Sequence, residues 1–141
     1  MVWHEHRLRV RFEETDNAGV VYYAKFLIWM EVGRVNLLRD IGLSPGSWGK
    51  MGFHIPVVQA HADYKAPAHF DEEILVRTRI GRLGTRSIMF ENEILRLPDG
   101  TLLSTGHTVH AFVGDGKKAM PFPDEIRGKL ERDLRPAAQT P

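Results

Sequence analysis

The sequence predicts an α+β protein in which an antiparallel sheet covers one long helix. Three observations support this: helical spacing of apolar residues over 22–41, alternating spacing over most of 53–113, and turn sequences between the alternating segments. The chain has 141 residues, within the usual range for one domain. We therefore expect a single domain over residues 1–141, with a frayed segment from about residue 135 to 141.

The first element is predicted to be a strand. Residues 4–12 place Leu8, Val10 and Phe12 on one side and arginines on the other, which is typical of a half-buried strand. One face of this strand should therefore contact the core.

The next element is predicted to be the long helix, over residues 22–41. Gly42 and Pro45 are typical residues for ending it. Gly33 lies within its apolar stripe, where a small residue favours close approach of another backbone. Because Trp29 lies off that stripe, we expect the helix to be buried on almost every side.

The rest of the chain alternates. Ala60 and Ala62 share one face of the next strand, which suits a helix packed closely against it. Turn sequences separate the later strands, and arginines on one are expected to pair with glutamates on its neighbour. Strands are predicted at residues 58–65, 74–80, 86–95 and 101–113, and a short helix is predicted within residues 121–134. The expected ion pairs join Arg77 and Arg79 to Glu91 and Glu93.

Composition excludes several classes of function. Lys plus Arg number 19 and Asp plus Glu number 18, so no basic surface for nucleic acid is expected. The chain has no cysteine, which excludes disulfides, thiolate nucleophiles and Cys-ligated zinc and suits the cytoplasm. No signal peptide and no apolar run of membrane-spanning length, ~18 residues, is found. We expect a cytoplasmic protein with no membrane and no nucleic-acid partner.

Standard catalytic motifs for serine hydrolases, nucleotide binding and zinc proteases are missing from the sequence. His4 and His6 share a strand face, but two ligands make a weak metal site, and we expect no metal and no cofactor. Glu31 and Arg34 are expected to form an ion pair within the helix rather than a catalytic group.

Asp16 is the strongest candidate for chemistry, because it stands between the first strand and the long helix. Backbone N–H groups at a helix start can polarise a carbonyl oxygen, so a carboxylate beside them can form a hydrolytic site. The alternative is that Asp16 or Asn17 caps the helix. Glu13 and Glu14 precede it, and at least one of them is expected to face solvent.

The segment "FEETDNAGVVYYAKFLIWMEVGR" resembles the hotdog-fold acyl-CoA thioesterases, specifically the 4-hydroxybenzoyl-CoA thioesterase-like group. The match depends on the spacing from an Asp to a Gly, a Val pair and an aromatic helix start. "ADYKAPAHFDEEILVRTRI" is also similar to a segment of that family, and the order of elements agrees over about residues 4–127.

The resemblance implies residue roles. Asp16 matches the catalytic carboxylate, acting as nucleophile or as general base on water. Tyr23 matches the position whose backbone N–H polarises the thioester carbonyl, and its side chain stands where some members carry His. Gly19 would allow the tight turn between them.

The resemblance also implies partners. It predicts an acyl-CoA substrate and a homo-oligomer whose sheets pair edge to edge, either a dimer or a tetramer of two dimers. Cations must hold the CoA phosphates, and the candidates are Arg86, Lys117 and Lys118. The acyl group is not specified, and two alternatives remain: a non-catalytic acyl-CoA-binding or scaffold protein, and a hydratase or dehydratase, whose own motif we do not find.

Overall fold

One antiparallel sheet and a long helix make up most of the chain. The structure, a computed structural model, describes residues 2–134. The strands are β1 (His4–Arg9), β2 (Val57–Tyr64), β3 (Glu73–Leu83), β4 (Ser87–Leu97) and β5 (Thr101–Ala111), in the spatial order β1-β3-β4-β5-β2. The helices are α1 (Lys25–Asp40), α2 (Pro45–Lys50) and α3 (Asp124–Leu134). This confirms the predicted architecture; the segment expected to fray, 135–141, lies outside the described residues.

Helix α1 lies against the inner face of β3, and Gly33 allows the contact. A Cβ atom at Gly33 would clash with the Thr78 hydroxyl and lie 2.8 Å from Cγ1 of Val76. The close approach predicted for Gly33 is therefore confirmed, and any larger residue would push the helix off the sheet.

The core has two halves along α1. Near the helix start, Phe26, Trp29 and Met30 pack with inner-face residues of β3, β4 and β5. Near its end, Leu37 and Leu38 pack with α3, with the loop that follows β5 and with the β3–β4 turn end of the sheet. The segment between β1 and α1 therefore lies at the start of the helix, and the loop that follows β5 lies at its end.

Strand β1 ends earlier than predicted. Phe12 was expected to face the core, but it is 74% exposed and packs edge-to-face on Phe70. The reason is a 3₁₀ turn over Phe12–Glu14, in which the Arg11 backbone N–H donates to the Glu14 carboxylate at 2.8 Å. A side chain that captures a backbone donor interrupts the strand ladder.

Helix α1 also starts later than predicted, at Lys25, after a turn over Tyr23 and Ala24. The helix is less covered than expected, because Leu27 and Ile28 are 37% and 46% exposed. The short helix α2 was not predicted.

The outer face of the sheet carries the expected ion pairs. Arg77 donates to Glu93 at 2.6 Å, and Arg79 donates to Glu91 at 2.9 Å. Both guanidinium groups lie over the ring of Trp3, at 4.5 and 4.3 Å from its centroid. Cation–π contacts and ion pairs thus hold the N-terminal residues on this face.

His4 joins three elements. Its Nδ1 lies 3.0 Å from Asp40 at the end of α1, and its Nε2 lies 2.8 Å from Asp133 in α3. Both ring nitrogens therefore contact carboxylates, which anchors α3 beside β1.

Candidate active site

The loop that carries Asp16 is a closed hairpin. Thr15 and Val21 form a β-bridge, the Asp16 N–H donates to Val20 O at 2.9 Å, and Gly19 N–H donates to Asp16 O at 3.0 Å. Gly19 has φ +81°, in the left-handed region that glycine adopts without strain. The predicted turn at Gly19 is present, and it ties the Asp16 loop to the segment leading into α1.

The Asp16 side chain is exposed at this hairpin, and one carboxylate oxygen accepts the Ala18 N–H at 2.8 Å. The hydroxyl of Tyr23 raises the pKa of the adjacent Tyr22, and the negative charge of Asp16 adds to the rise. The charge of the carboxylate therefore acts on Tyr22, in the segment that precedes α1.

The helix start has free donors. Residues 25, 26 and 27 donate their N–H groups to the carbonyls three residues earlier, whereas the N–H groups of Tyr23 and Ala24 donate to nothing within residues 2–134. Ala24 is the N-cap, with no side-chain cap. The capping role considered for Asp16 or Asn17 is therefore not what the structure shows. Two unoccupied N–H groups at the positive end of α1 can bind an oxygen atom that bears negative charge.

A cleft of about 340 Å³ opens beside these donors. The Tyr64 hydroxyl donates to the Tyr23 carbonyl at 2.9 Å, and the Tyr64 ring packs edge-to-face on Phe26 at 5.2 Å. Burial raises the pKa of Tyr64. Tyr64 thus fixes the backbone of Tyr23 from the carbonyl side and leaves the N–H side open. The lining residues are Val20, Val21, Tyr23, Phe26, Tyr64, Lys65, Ala66 and Pro67.

Glu14 is a supporting residue that sequence reasoning missed. It is 3% exposed, whereas Glu13 faces solvent and pairs with Arg11 at 2.8 Å, as expected for one of the two acids. The Glu14 carboxylate accepts the Trp29 indole N–H at 3.0 Å. The signal available in the sequence was an acid at a strand end followed by a helix with a Trp off its main apolar stripe.

The proposed phosphate-binding cations lie elsewhere in this chain. The carbonyl of Arg86 accepts the N–H of Phe112, which packs in the half of the core at the end of α1. Lys117 and Lys118 belong to the turn that follows, with Lys117 N–H bonded to Gly114 O at 2.9 Å. All three are exposed, at the opposite end of α1 from Asp16. Lys65 is the cation that lines the cleft itself.

Fold and site define a hotdog-fold protein: an antiparallel sheet around one helix, preceded in the chain by a hairpin that carries an exposed carboxylate. The chain belongs to the thioesterase-like superfamily, whose family model matches residues 10–130. It is accordingly a thioester hydrolase. Among the described residues no helix has the length and apolar character needed to cross a membrane.

Named relatives agree with this assignment. The chain is 32% identical to the acyl-CoA thioesterase YbgC of Haemophilus influenzae over 85% of this chain and 88% of that one. It is 44% identical to the putative acyl-CoA thioesterase YneP of Bacillus subtilis, in a match spanning about half of each chain, 52% and 53%. The structure is similar to a 1,4-dihydroxy-2-naphthoyl-CoA thioesterase from Synechocystis, with a TM-score of 0.87 and 26% identity over 96% of this chain and 100% of that one.

Proposed function

We propose that this protein hydrolyses acyl-CoA thioesters, with Asp16 as the essential carboxylate and the N–H groups of Tyr23 and Ala24 as the oxyanion donors. The observation that carries the proposal is the pair of free N–H groups at the start of α1, across a closed hairpin from an exposed carboxylate. The family membership and the relatives that act on CoA esters support the substrate class.

The chemistry requires stabilisation of charge on the carbonyl oxygen. As the thioester carbon becomes tetrahedral, its oxygen gains negative charge, and N–H groups already oriented by the helix bind that charge with little reorganisation. Removing one such donor from other hydrolases costs ~3 to 4 kcal/mol of transition-state stabilisation. Because these are backbone groups, Tyr at position 23 is compatible with the role.

Asp16 has two possible roles. As a nucleophile it forms a mixed anhydride and releases CoA thiolate, and water then cleaves the anhydride. As a general base it takes a proton from a water molecule that attacks the thioester carbon, and CoA thiolate again leaves. Both routes give a free acid and CoA and both require the carboxylate.

We also propose that the working protein is a homo-oligomer. Strand β2 is an edge strand, and Val57 and Val58 on it are 48% and 62% exposed. An exposed apolar edge favours pairing with a second copy, which would extend the sheet and cover the neighbouring side of α1. We expect a dimer or a tetramer of dimers, in the cytoplasm.

Lys65 is the cation best placed to meet a CoA phosphate within one subunit, since it lines the cleft. The role of Arg86, Lys117 and Lys118 stays a prediction. These residues could reach the cleft of one subunit only from a partner subunit, because they lie at the end of α1 opposite Asp16.

The test is hydrolysis of a panel of acyl-CoAs by the protein and by Asp16→Asn. We expect CoA release by the parent and a loss of at least ~100-fold in kcat in the variant, with unchanged circular dichroism and retained ester binding. Asn17→Ala, on the same hairpin, is the matched control and should keep most of the activity. Binding without turnover by the parent would instead indicate the non-catalytic acyl-CoA-binding alternative.

A further inference from the structure

The carbonyl of Tyr23 accepts a hydrogen bond from outside the helix. A carbonyl oxygen has two lone pairs, and one of them accepts the Phe26 N–H at 3.2 Å. In a regular α-helix the carbonyl would also accept the N–H four residues further on, but the Leu27 N–H donates to the Ala24 carbonyl instead, at 3.2 Å. The Tyr64 hydroxyl donates in its place at 2.9 Å, from the last residue of β2.

This hydrogen bond acts on one of the proposed oxyanion donors. The Tyr23 carbonyl and the Ala24 N–H belong to the same peptide group, and the Ala24 N–H donates to nothing within residues 2–134. A trans peptide group is planar, with its C=O and its N–H directed oppositely, so fixing the oxygen also fixes the direction of the N–H. Tyr64 therefore influences the donor from the opposite side of the peptide group.

The Tyr64 ring is held by its neighbours. It packs edge-to-face on Phe26, which is 3% exposed, and on the Tyr23 ring, with centroid distances of 5.2 and 6.4 Å. The N–H of the next residue, Lys65, donates to the Leu103 carbonyl at 2.8 Å and fixes the end of β2. The hydroxyl is thus oriented before any substrate binds. All these contacts lie within one chain, so they do not depend on subunit pairing.

The Tyr64 hydroxyl is a donor at neutral pH. Burial raises the pKa of Tyr64, and the nearby Tyr23 adds to the rise, so the phenol keeps its proton. Linked hydrogen bonds polarise one another. A carbonyl that accepts a hydrogen bond draws electron density from the nitrogen of its peptide group, and the N–H of that group becomes a stronger donor.

We propose that Tyr64 is a positioning residue for thioester hydrolysis, whose hydroxyl orients and polarises the Tyr23–Ala24 peptide group so that the Ala24 N–H binds the oxyanion more tightly. The thioester oxygen bears more negative charge in the transition state than in the bound substrate, so the benefit falls on kcat and not on KM. The inference rests on the proposed function, because it concerns the same site.

The test is Tyr64→Phe, which keeps the ring and removes only the hydroxyl. With the best substrate of the acyl-CoA panel, we expect kcat to fall roughly tenfold and KM to stay within about twofold of the parent. Binding of S-octyl-CoA, a thioether without a carbonyl, should be unchanged in isothermal titration calorimetry. The ratio of the two kcat values should be constant from about pH 6 to pH 8, because Tyr64 transfers no proton to the substrate.

Ser47→Ala is the matched control for loss of a hydrogen bond. Its hydroxyl also donates to a backbone carbonyl, that of Ser44 at 2.7 Å, but in α2 at the far end of α1. This variant should keep the parent kcat. An equal fall of kcat in Ser47→Ala and Tyr64→Phe would show a general effect of lost stability and overturn the inference.

A double-mutant cycle identifies the donor through which Tyr64 acts. Ala24 has φ −65°, which proline adopts, so Ala24→Pro keeps the Tyr23 carbonyl and deletes the N–H. In this background Tyr64→Phe should lower kcat by less than ~twofold, since the group that it polarises is already missing. Fluorotyrosine at position 64, fluorinated beside the hydroxyl, is a stronger donor and should raise kcat above that of the parent. This second comparison decides the question if Ala24→Pro does not fold.

The outcomes separate this inference from the proposed function. Asp16-dependent hydrolysis with an unchanged kcat in Tyr64→Phe, or with the same loss in both backgrounds of the cycle, overturns the inference and leaves the thioesterase function intact. A raised KM with unchanged kcat also overturns it, because Tyr64 would then only bind substrate. Absence of hydrolysis by the parent overturns both.

Discussion

The indole N–H of Trp29 donates a hydrogen bond to the carboxylate of Glu14 at 3.0 Å, and both side chains are almost completely buried. The same carboxylate accepts the Arg11 backbone N–H, and the Glu14 carbonyl accepts the Tyr22 N–H at 2.9 Å. Glu14 thereby connects the end of β1, the segment before α1 and the helix itself. Glu14 therefore helps to fix the position of the Asp16 hairpin relative to the helix start, together with the bridge between Thr15 and Val21.

Replacing Glu14 should destabilise the protein. Glu14→Ala leaves the buried Trp29 indole N–H without an acceptor and removes the part-buried hydrogen bond of the Arg11 N–H, and we expect a loss of about 2 to 4 kcal/mol in the free energy of unfolding. Urea denaturation measures this. Glu13→Ala, at an exposed position, should change stability by less than ~0.5 kcal/mol. Equal effects of the two substitutions would contradict the anchoring role.

Gly19→Ala should reduce activity more than stability. Its φ of +81° strains any residue with a Cβ, at a cost of about 1 kcal/mol, although no atom lies within 4 Å of an added Cβ. Relaxation of the turn would displace Asp16, and small displacements of a catalytic group can lower rates ~100-fold. Gly100→Ala, with φ +74° and equally open surroundings, is the matched control. It should lose similar stability in thermal unfolding and keep its thioesterase activity.

Gly33→Ala should destabilise the protein despite the higher helix propensity of alanine. The new methyl group would meet Thr78 and Val76, and overpacking of this kind costs roughly 1 to 3 kcal/mol or more. Gly128→Ala in α3 meets nothing within 4 Å and should instead stabilise by about 0.5 to 1 kcal/mol. Guanidinium titrations of both variants check the opposite signs. A stabilised Gly33→Ala variant would show that α1 does not lie this close to β3.

His110 should make stability dependent on pH. Burial lowers its pKa to about 4, partly opposed by the hydrogen bond to the Ile55 carbonyl. The pKa of histidine in an unfolded chain is about 6.5. Between about pH 6.5 and pH 4, the unfolded chain therefore binds a proton at His110 that the folded chain does not bind. The stabilising contribution is complete above about pH 6.5 and is lost progressively as the pH falls toward 4.

The measurement is unfolding free energy at pH 7 and pH 4.5 for the parent and for His110→Asn. We expect the parent to lose more than the variant between the two pH values, by on the order of 2 kcal/mol. Parallel losses in the two proteins would refute the assignment, whatever their absolute stabilities.

Local patterns predicted much of the fold. The alternation over β3 and β4 placed Arg77 opposite Glu93, because side chains on paired strands meet at a two-residue period. The helical stripe likewise placed Gly33 at the contact with the sheet. These predictions succeeded because each depends on the periodicity within an element, which determines the face on which a residue lies.

Predictions about element ends and charged partners were less successful. Phe12 is exposed because it lies in the 3₁₀ turn that follows β1 and not in the strand itself. The alternation of apolar and charged residues does not indicate where that turn begins. His4 contacts Asp40 and Asp133, residues far away in sequence, and no spacing rule connects them.

By itself, the sequence determined the α+β architecture, the Asp16-to-Tyr23 motif and the glycine turn within it, since backbone conformation and hydrophobic period are local properties. Only the tertiary structure decided that the helix begins at Lys25 and leaves two N–H groups free, and that Glu14 is buried against Trp29. It also placed Arg34 and Thr108, which are distant in sequence, in the lining of one groove between α1 and β2. Hydrogen bonds and burial between distant segments depend on how a whole chain packs, and no single segment encodes them.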